Sequence, residues 1–232
     1  MSGTLRRWFD GYDGTWPDHA TRKGFPEPYL GDLLGHVRTP RMVFLAFHPG
    51  EYVPQFQARD GIFADEIRQR GSYSAWARTQ PYLRTPWLRE MGRKRSRFYT
   101  THRSFARRWS EDTAAADDIL IFEAYPWHIT TARVRLDPPS DIIEEFVWQP
   151  VAEFPVRDIF GFGRTWERLA SRTLPLREAL GAGGRDYGSS VASRAVRIYE
   201  LPSGQRLIVE WHPGGVGPPR ESEVAVLRKA LH

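Results

Sequence analysis

The chain has no cysteine. That excludes disulfides, thiolate zinc sites, cysteine-ligated iron–sulfur clusters and a cysteine nucleophile. It also has no long apolar run: no segment approaches the roughly 20 apolar residues that span a bilayer. Its opening, MSGTLRRWFDGYDG, carries no apolar signal region, so a cytoplasmic protein without membrane contact is expected. The Gly-x-Ser-x-Gly turn of a serine hydrolase is absent, which disfavours an esterase built on Glu51 or Asp65 with a histidine. No cluster has metal-ligand spacing, and neither metal nor cofactor is expected. There is no internal repeat and no disordered linker. What is present is ordinary for a globular protein: 232 residues, 41% hydrophobic and 26% charged. We expect one domain over 1–232 and a monomer, with 1–40 as a wrapping N-terminal segment.

The charge is unevenly placed. Arg84 to Arg108 holds nine Lys/Arg and one acid, Glu90, a net +8 in a chain of +5, so the remainder sums to −3. Trp87, Phe98, Tyr99, Phe105 and Trp109 are interleaved with that charge. Cations among aromatics suit a polyanion with flat bases, so DNA is the expected partner. The alternative is a solvated helical face. On the first reading Arg93, Lys94, Arg95 and Arg97 contact phosphates.

Three apolar runs end abruptly in polar or small residues. Met42 to Phe47 leads into His48-Pro49-Gly50. Ile119 to Phe122 leads into Glu123-Ala124-Tyr125-Pro126. Leu207 to Val209 leads through Trp211 into His212-Pro213-Gly214-Gly215. Short apolar runs stopped by Pro and Gly read as buried strands delivering loops. Val156 to Gly163 and Ala195 to Leu201 complete the strands. Helices are expected over Gly61 to Arg68, Ser72 to Gln80, Phe98 to Trp109, Asp141 to Val147 with an Asp cap, Thr165 to Ser171, Leu174 to Leu180 and Ser222 to Leu231. Val53 to Asp60 reads as a loop. Strands alternating with helices predict an α/β three-layer sandwich around a central, largely parallel sheet. In such sheets chemistry sits at the carboxyl ends of strands.

The order and texture of these strand ends resembles the uracil-DNA glycosylase superfamily over roughly Phe25 to Arg220. Phe47-His48-Pro49-Gly50 stands where that family has GQDPY or NPG, so His48 takes the place of the Asp or Asn that positions the attacking water. Glu123 takes the place of the Asn that reads the base edge. Ile159-Phe160-Gly161-Phe162-Gly163 is a looser version of the third motif. His212-Pro213-Gly214-Gly215-Val216 is similar to HPSP with its intercalating Leu, which implies Val216 as a wedge; as an ordinary loop residue it would cover the core edge. Phe63 matches the family's stacking Phe, or is a core aromatic. Phe25 to Gly31 looks like a segment upstream of the first loop in some bacterial members.

The resemblance implies a monofunctional glycosylase that hydrolyses a base–sugar bond and leaves an abasic site. A neutral His212 would donate to the base carbonyl, and a neutral His48 would accept a proton from water. Glu123, Gly50, Phe63 and Tyr125 would bind the flipped base. Glutamate accepts from cytosine N4, whereas an ionised carboxylate would face uracil O4 with like charge. Gly50 replaces a bulky Tyr that excludes 5-substituents in the strict uracil branch. Together they point to a 5-modified cytosine, such as the hydroxymethylated or glucosylated base of phage DNA, and to antiviral defence. Two alternatives stay open: a glycosylase for uracil or 5-modified uracil, and a non-catalytic nucleic-acid binder on the same fold.

Overall fold

The computed structural model describes residues 24–31, 42–112, 118–128, 137–181, 184, 194–212 and 217–232. The strands are β1 (Tyr29–Leu30), β2 (Met42–Ala46), β3 (Ile119–Glu123), β4 (Asp158–Phe162), β5 (Leu176–Leu180), β6 (Ala195–Glu200) and β7 (Arg206–Trp211). The helices are α1 (Pro54–Gln57), α2 (Ile62–Gln69), α3 (Tyr73–Ala77), α4 (Thr85–Glu90), α5 (Arg97–Ser110), α6 (140–152), α7 (Arg164–Thr173) and α8 (Glu221–Leu231).

The seven strands form one mixed sheet in the order β1-β3-β2-β4-β7-β6-β5. Its centre, β3-β2-β4-β7, is parallel, and its flanks pair antiparallel. The protein is therefore α/β with a sheet that is parallel in its core and flanked by helices. Every residue of β2 and β3 is buried, as expected of parallel strands covered on both faces. Phe44 of β2 meets Phe105 of α5 edge-on at 5.9 Å, and Trp166 of α7 packs at 6.1 Å from Phe47. Most of the buried apolar side chains form one continuous cluster. Among the described residues no helix is long and apolar enough to cross a membrane.

Three expectations are corrected. Leu176 to Leu180 is an edge strand, not a helix. Its LREAL sequence favours helix locally, but pairing with β6 through Leu180↔Val196 and Ala179↔Arg197 prevails, as tertiary context does for strands. Val53 to Asp60 contains the short helix α1, started by Pro54, whose fixed φ suits a first turn. Asp141 does not cap α6: Pro139 occupies that position, and Asp141 lies in the first turn. Of the N-terminal segment, residues 1–23 and 32–40 lie outside the described residues.

Candidate active site at the carboxyl edge of the sheet

The parallel registers Ala46↔Glu123, Leu45↔Gly161 and Phe162↔Glu210 put four strand ends on one edge. Hydrogen bonds continue the alignment past the strands. Ala124 N donates to Ala46 O and Tyr125 N to Phe47 O, both at 2.9 Å, and Gly163 N donates to Glu210 O at 2.8 Å. His48, Glu123, Gly163 and His212 therefore share this edge. From β2 the chain moves to β3 on one side, then to β4 and β7 on the other. The reversal lies between β2 and β4, and such a switch point opens the crevice where α/β sheets bind ligands. The loops that flank it are His48-Pro49-Gly50 and the turn at Gly163, whose φ of 105° lets β4 break directly into α7.

His48 is half-buried, and its Nδ1 accepts a 3.0 Å hydrogen bond from Gly50 N. Burial, and then the nearby His128, lower its pKa to about 4, opposed by its own backbone carbonyl. The ring is thus neutral near pH 7, with Nδ1 engaged and the proton on Nε2. That form offers a donor. In this state the free nitrogen carries a hydrogen, so His48 is set to hold a water through Nε2–H, and taking a proton from that water would require the Nδ1 lone pair now engaged by Gly50 N. Gly50 makes the contact possible at φ 102°, and a Cβ placed on it would meet nothing within 4 Å.

Glu123 closes β3 with 2% exposure, and its Oε2 is buried without a hydrogen-bond partner. Burial, and then the neighbouring Glu27, push its pKa well above the usual carboxylate range. A carboxyl held toward its neutral form presents one O–H donor and one carbonyl acceptor. Tyr73 and Tyr99 lie close enough that Glu123 raises their own pKa values further.

Beside Glu123 lies a polar chain that sequence reasoning missed. Pro26 and Pro28 hold their segment extended. It runs against 122–127, with Glu123 N donating to Pro28 O at 2.9 Å and Glu27 N to Pro126 O at 2.8 Å. This brings Glu27 Oε1 to 2.8 Å from His128 Nε2, with both side chains 0% exposed. The Tyr82 hydroxyl donates to Glu27 Oε2. Gln57 Nε2 donates to the Tyr82 oxygen at 2.9 Å, and Val53 N to Gln57 Oε1 at 2.6 Å. His128 Nδ1 is buried without a partner. The only sequence signals were an acid between two prolines and a second histidine after β3.

The remaining candidates divide. Phe63 is corrected to a core residue: it is 1% exposed and ringed by Phe56, Trp76, Tyr82 and Trp87 at 5.1 to 5.6 Å. As the apolar stripe of α2 it faces inward and has no free face for a base. Tyr125 is 1% exposed, with its ring 5.7 Å from Trp127. Two half-buried aromatics flank the first loop: Phe47, whose ring lies 6.2 Å from that of His48, and Tyr52, whose ring lies 6.3 Å from that of His128. His212 is half-buried directly after β7. Gly214, Gly215 and Val216 lie outside the described residues.

Arg93, Lys94, Arg95 and Arg97 are exposed, between α4 and the first turn of α5. That turn reaches the same edge of the sheet. Phe98, 41% exposed, packs against His102 with ring centroids 4.2 Å apart, and His102 meets Phe162, the last residue of β4, at 5.6 Å. Tyr99 in the same turn lies by Glu123. The basic stretch therefore adjoins the rim of the candidate site. No protein-family model matches the chain, and no curated protein is similar to it.

Proposed function

We propose that the protein is a DNA glycosylase that hydrolyses the N-glycosidic bond of a flipped-out, 5-modified cytosine, on a fold like that of the uracil-DNA glycosylase superfamily. One observation carries the reading: a buried carboxyl, Glu123, with an unpartnered oxygen, stands on the same sheet edge as His48 and His212, and a basic, aromatic rim borders it. That edge has groups for a base, groups for a leaving-group carbonyl, and charge for a phosphate backbone.

The chemistry follows from the donors and acceptors. The C1′–N1 bond breaks with its electron pair going to the base, a water oxygen bonds to C1′ and its extra proton passes to solvent, from which Glu123 is reprotonated after each turnover. Protonated Glu123 donates to cytosine N3 and accepts from the N4 amino group. Passing the proton to N3 makes the base a better leaving group. His48, through Nε2–H, holds the water oxygen, and His212 donates to the base O2 as negative charge develops there. Open space beside Gly50 accommodates a 5-substituent. Bases of this kind mark some phage genomes, which makes defence against phage DNA the proposed setting.

The upward pKa shift of Glu123 also supports a second reading. The exclusion of uracil needs an ionised carboxylate. A neutral acid can accept from uracil N3–H and donate to O4, so uracil or 5-modified uracil is the rival substrate. The test is incubation with DNAs bearing each base, alkali cleavage and mass spectrometry of what is released. Strand scission after alkali requires an abasic product, which a binder without catalysis cannot make. Wild-type rates in both His48→Ala and His212→Ala would remove those residues from the mechanism, and loss of activity in EDTA would contradict a metal-free one.

A further inference from the structure

We propose that His128 reads a hydroxyl on the substrate and, on the glycosylase reading on which this rests, that it is the hydroxyl of a 5-hydroxymethyl group on cytosine.

The hydrogen-bond directions leave His128 one free valence, at Nδ1. Val53 N can only donate, so Gln57 Oε1 is the acceptor and Gln57 Nε2 supplies the donor to Tyr82. The Tyr82 oxygen therefore accepts from Gln57, and its single proton goes to Glu27 Oε2. His128 Nε2 lies 2.8 Å from the other oxygen, Glu27 Oε1, and is committed there. Nδ1 is buried without a partner. An orphaned buried polar atom is uncommon and disfavoured, and a hydroxyl, which both donates and accepts, answers it whether or not Nδ1 carries a hydrogen.

Position supports the same conclusion. The chain begins at Val53, just beyond the Pro49-Gly50 turn, and ends at His128, whose proximity depresses the pKa of His48. His48 is half-buried at the mouth, whereas His128 is 0% exposed. The sugar must stay joined to a DNA backbone outside, so the deeper group meets the base and what it carries. A methyl group there would leave Nδ1 unsatisfied. A hydroxymethyl group supplies one O–H, and a site built for a hydroxyl rejects the analogue that lacks it.

The experiment compares single-turnover release of 5-hydroxymethylcytosine and 5-methylcytosine from otherwise identical DNA. Wild type should prefer the hydroxymethyl base by at least about tenfold. His128→Leu should bring the ratio to within about twofold, chiefly by slowing hydroxymethyl release, because it removes the polar partner. His128→Asn, which keeps a group able to donate or accept near Nδ1, should retain part of the preference. The ratio is taken within one preparation, so a partly unfolded variant does not distort it. A wild-type ratio near one, or an unchanged ratio in His128→Leu, overturns the role of His128 while base release stands. Absence of any released base with wild type overturns the glycosylase reading itself.

Discussion

Glu123 and Glu210 are both 2% exposed, both near the carboxyl ends of parallel strands, and both pushed upward in pKa by burial. They differ in company. Glu210 has a cation: Arg194 Nη1 lies 2.7 Å from its Oε1, and Arg194 Nε also reaches Glu223 at 2.9 Å. Glu123 has an acid, Glu27, as its main charged neighbour. A buried carboxyl with a paired guanidinium has its charge answered within the fold. Each keeps one buried, unpartnered oxygen, but a carboxyl that faces another acid is answered only by a ligand or a proton. The difference marks Glu123 as the group of the site and Glu210 as a structural one.

The largest test of that contrast is Glu123→Gln. The amide keeps the shape and a donor–acceptor pair but cannot pass a proton to N3. Cytosine-type release should fall by about 10²- to 10⁴-fold, the usual worth of a positioned general acid. Release of uracil from the same variant should persist or rise. Loss of both activities in a folded variant would break the assignment of Glu123 to the N3 and N4 edge. The pH profile sharpens it. The protonated acid is the competent form, so wild-type cytosine release should decline as pH rises through its elevated pKa, and Glu123→Gln should lack that decline.

Glu210→Ala should do the reverse. It leaves Arg194 buried with only Glu223, and we expect about 3 kcal/mol of destabilisation in urea melts. Base release by the folded fraction should be little changed. A stable variant without activity would exchange the roles of the two carboxyls.

Protons on the folded state extend the comparison. Glu210, raised from 4.5 to about 7, contributes stability that is fully present below pH 4.5 and lost as pH climbs through 7. His102 runs the other way. It is 3% exposed, and burial lowers its pKa from 6.5 to about 4, so its contribution is present above pH 6.5 and lost as pH falls toward 4. Each is worth about 3 kcal/mol, and the two oppose one another in mildly acidic buffer. His48, lowered to about 4, and Glu123, raised by burial, oppose one another in the same way, so chemical denaturation from pH 7 to 4.5 should be nearly flat for wild type. His102→Leu should gain stability on acidification over that range, and a loss instead would show that the carboxyls are not held neutral.

The legible parts of this molecule were those encoded within a few residues. Met42 to Phe47 and Ile119 to Phe122 announce buried strands because five or so β-favouring residues stop at a turn, and their polar ends do fall on one edge. What could not be read needs chain closure. Glu27 and His128 are 101 residues apart, and only antiparallel pairing of 27–30 with the end of β3 brings them together. The direction in which an amphipathic helix turns an aromatic was likewise open, so Phe63 fitted a pocket wall as well as the core it occupies. The upward pKa shift of Glu123 depends on burial and on Glu27, which is far from it in sequence.

The smallest expected effect lies at the rim, where charge is exposed and screened. Arg93, Lys94, Arg95 and Arg97 adjoin the site through Phe98, His102 and Phe162, yet each projects into solvent. Such groups hold phosphates without reading bases, so their contribution is independent of sequence and sensitive to salt. Replacing all four by alanine should weaken binding to every DNA alike. It should also reduce the slope of log affinity against log salt by about one for each phosphate that is no longer neutralised. The rate of base release at saturating DNA should stay near that of wild type, since none of the four reaches the reacting atoms. An unchanged salt slope would return the stretch to a solvated face. A change in which base is released would mean that the rim, and not Glu123 alone, takes part in selecting the substrate.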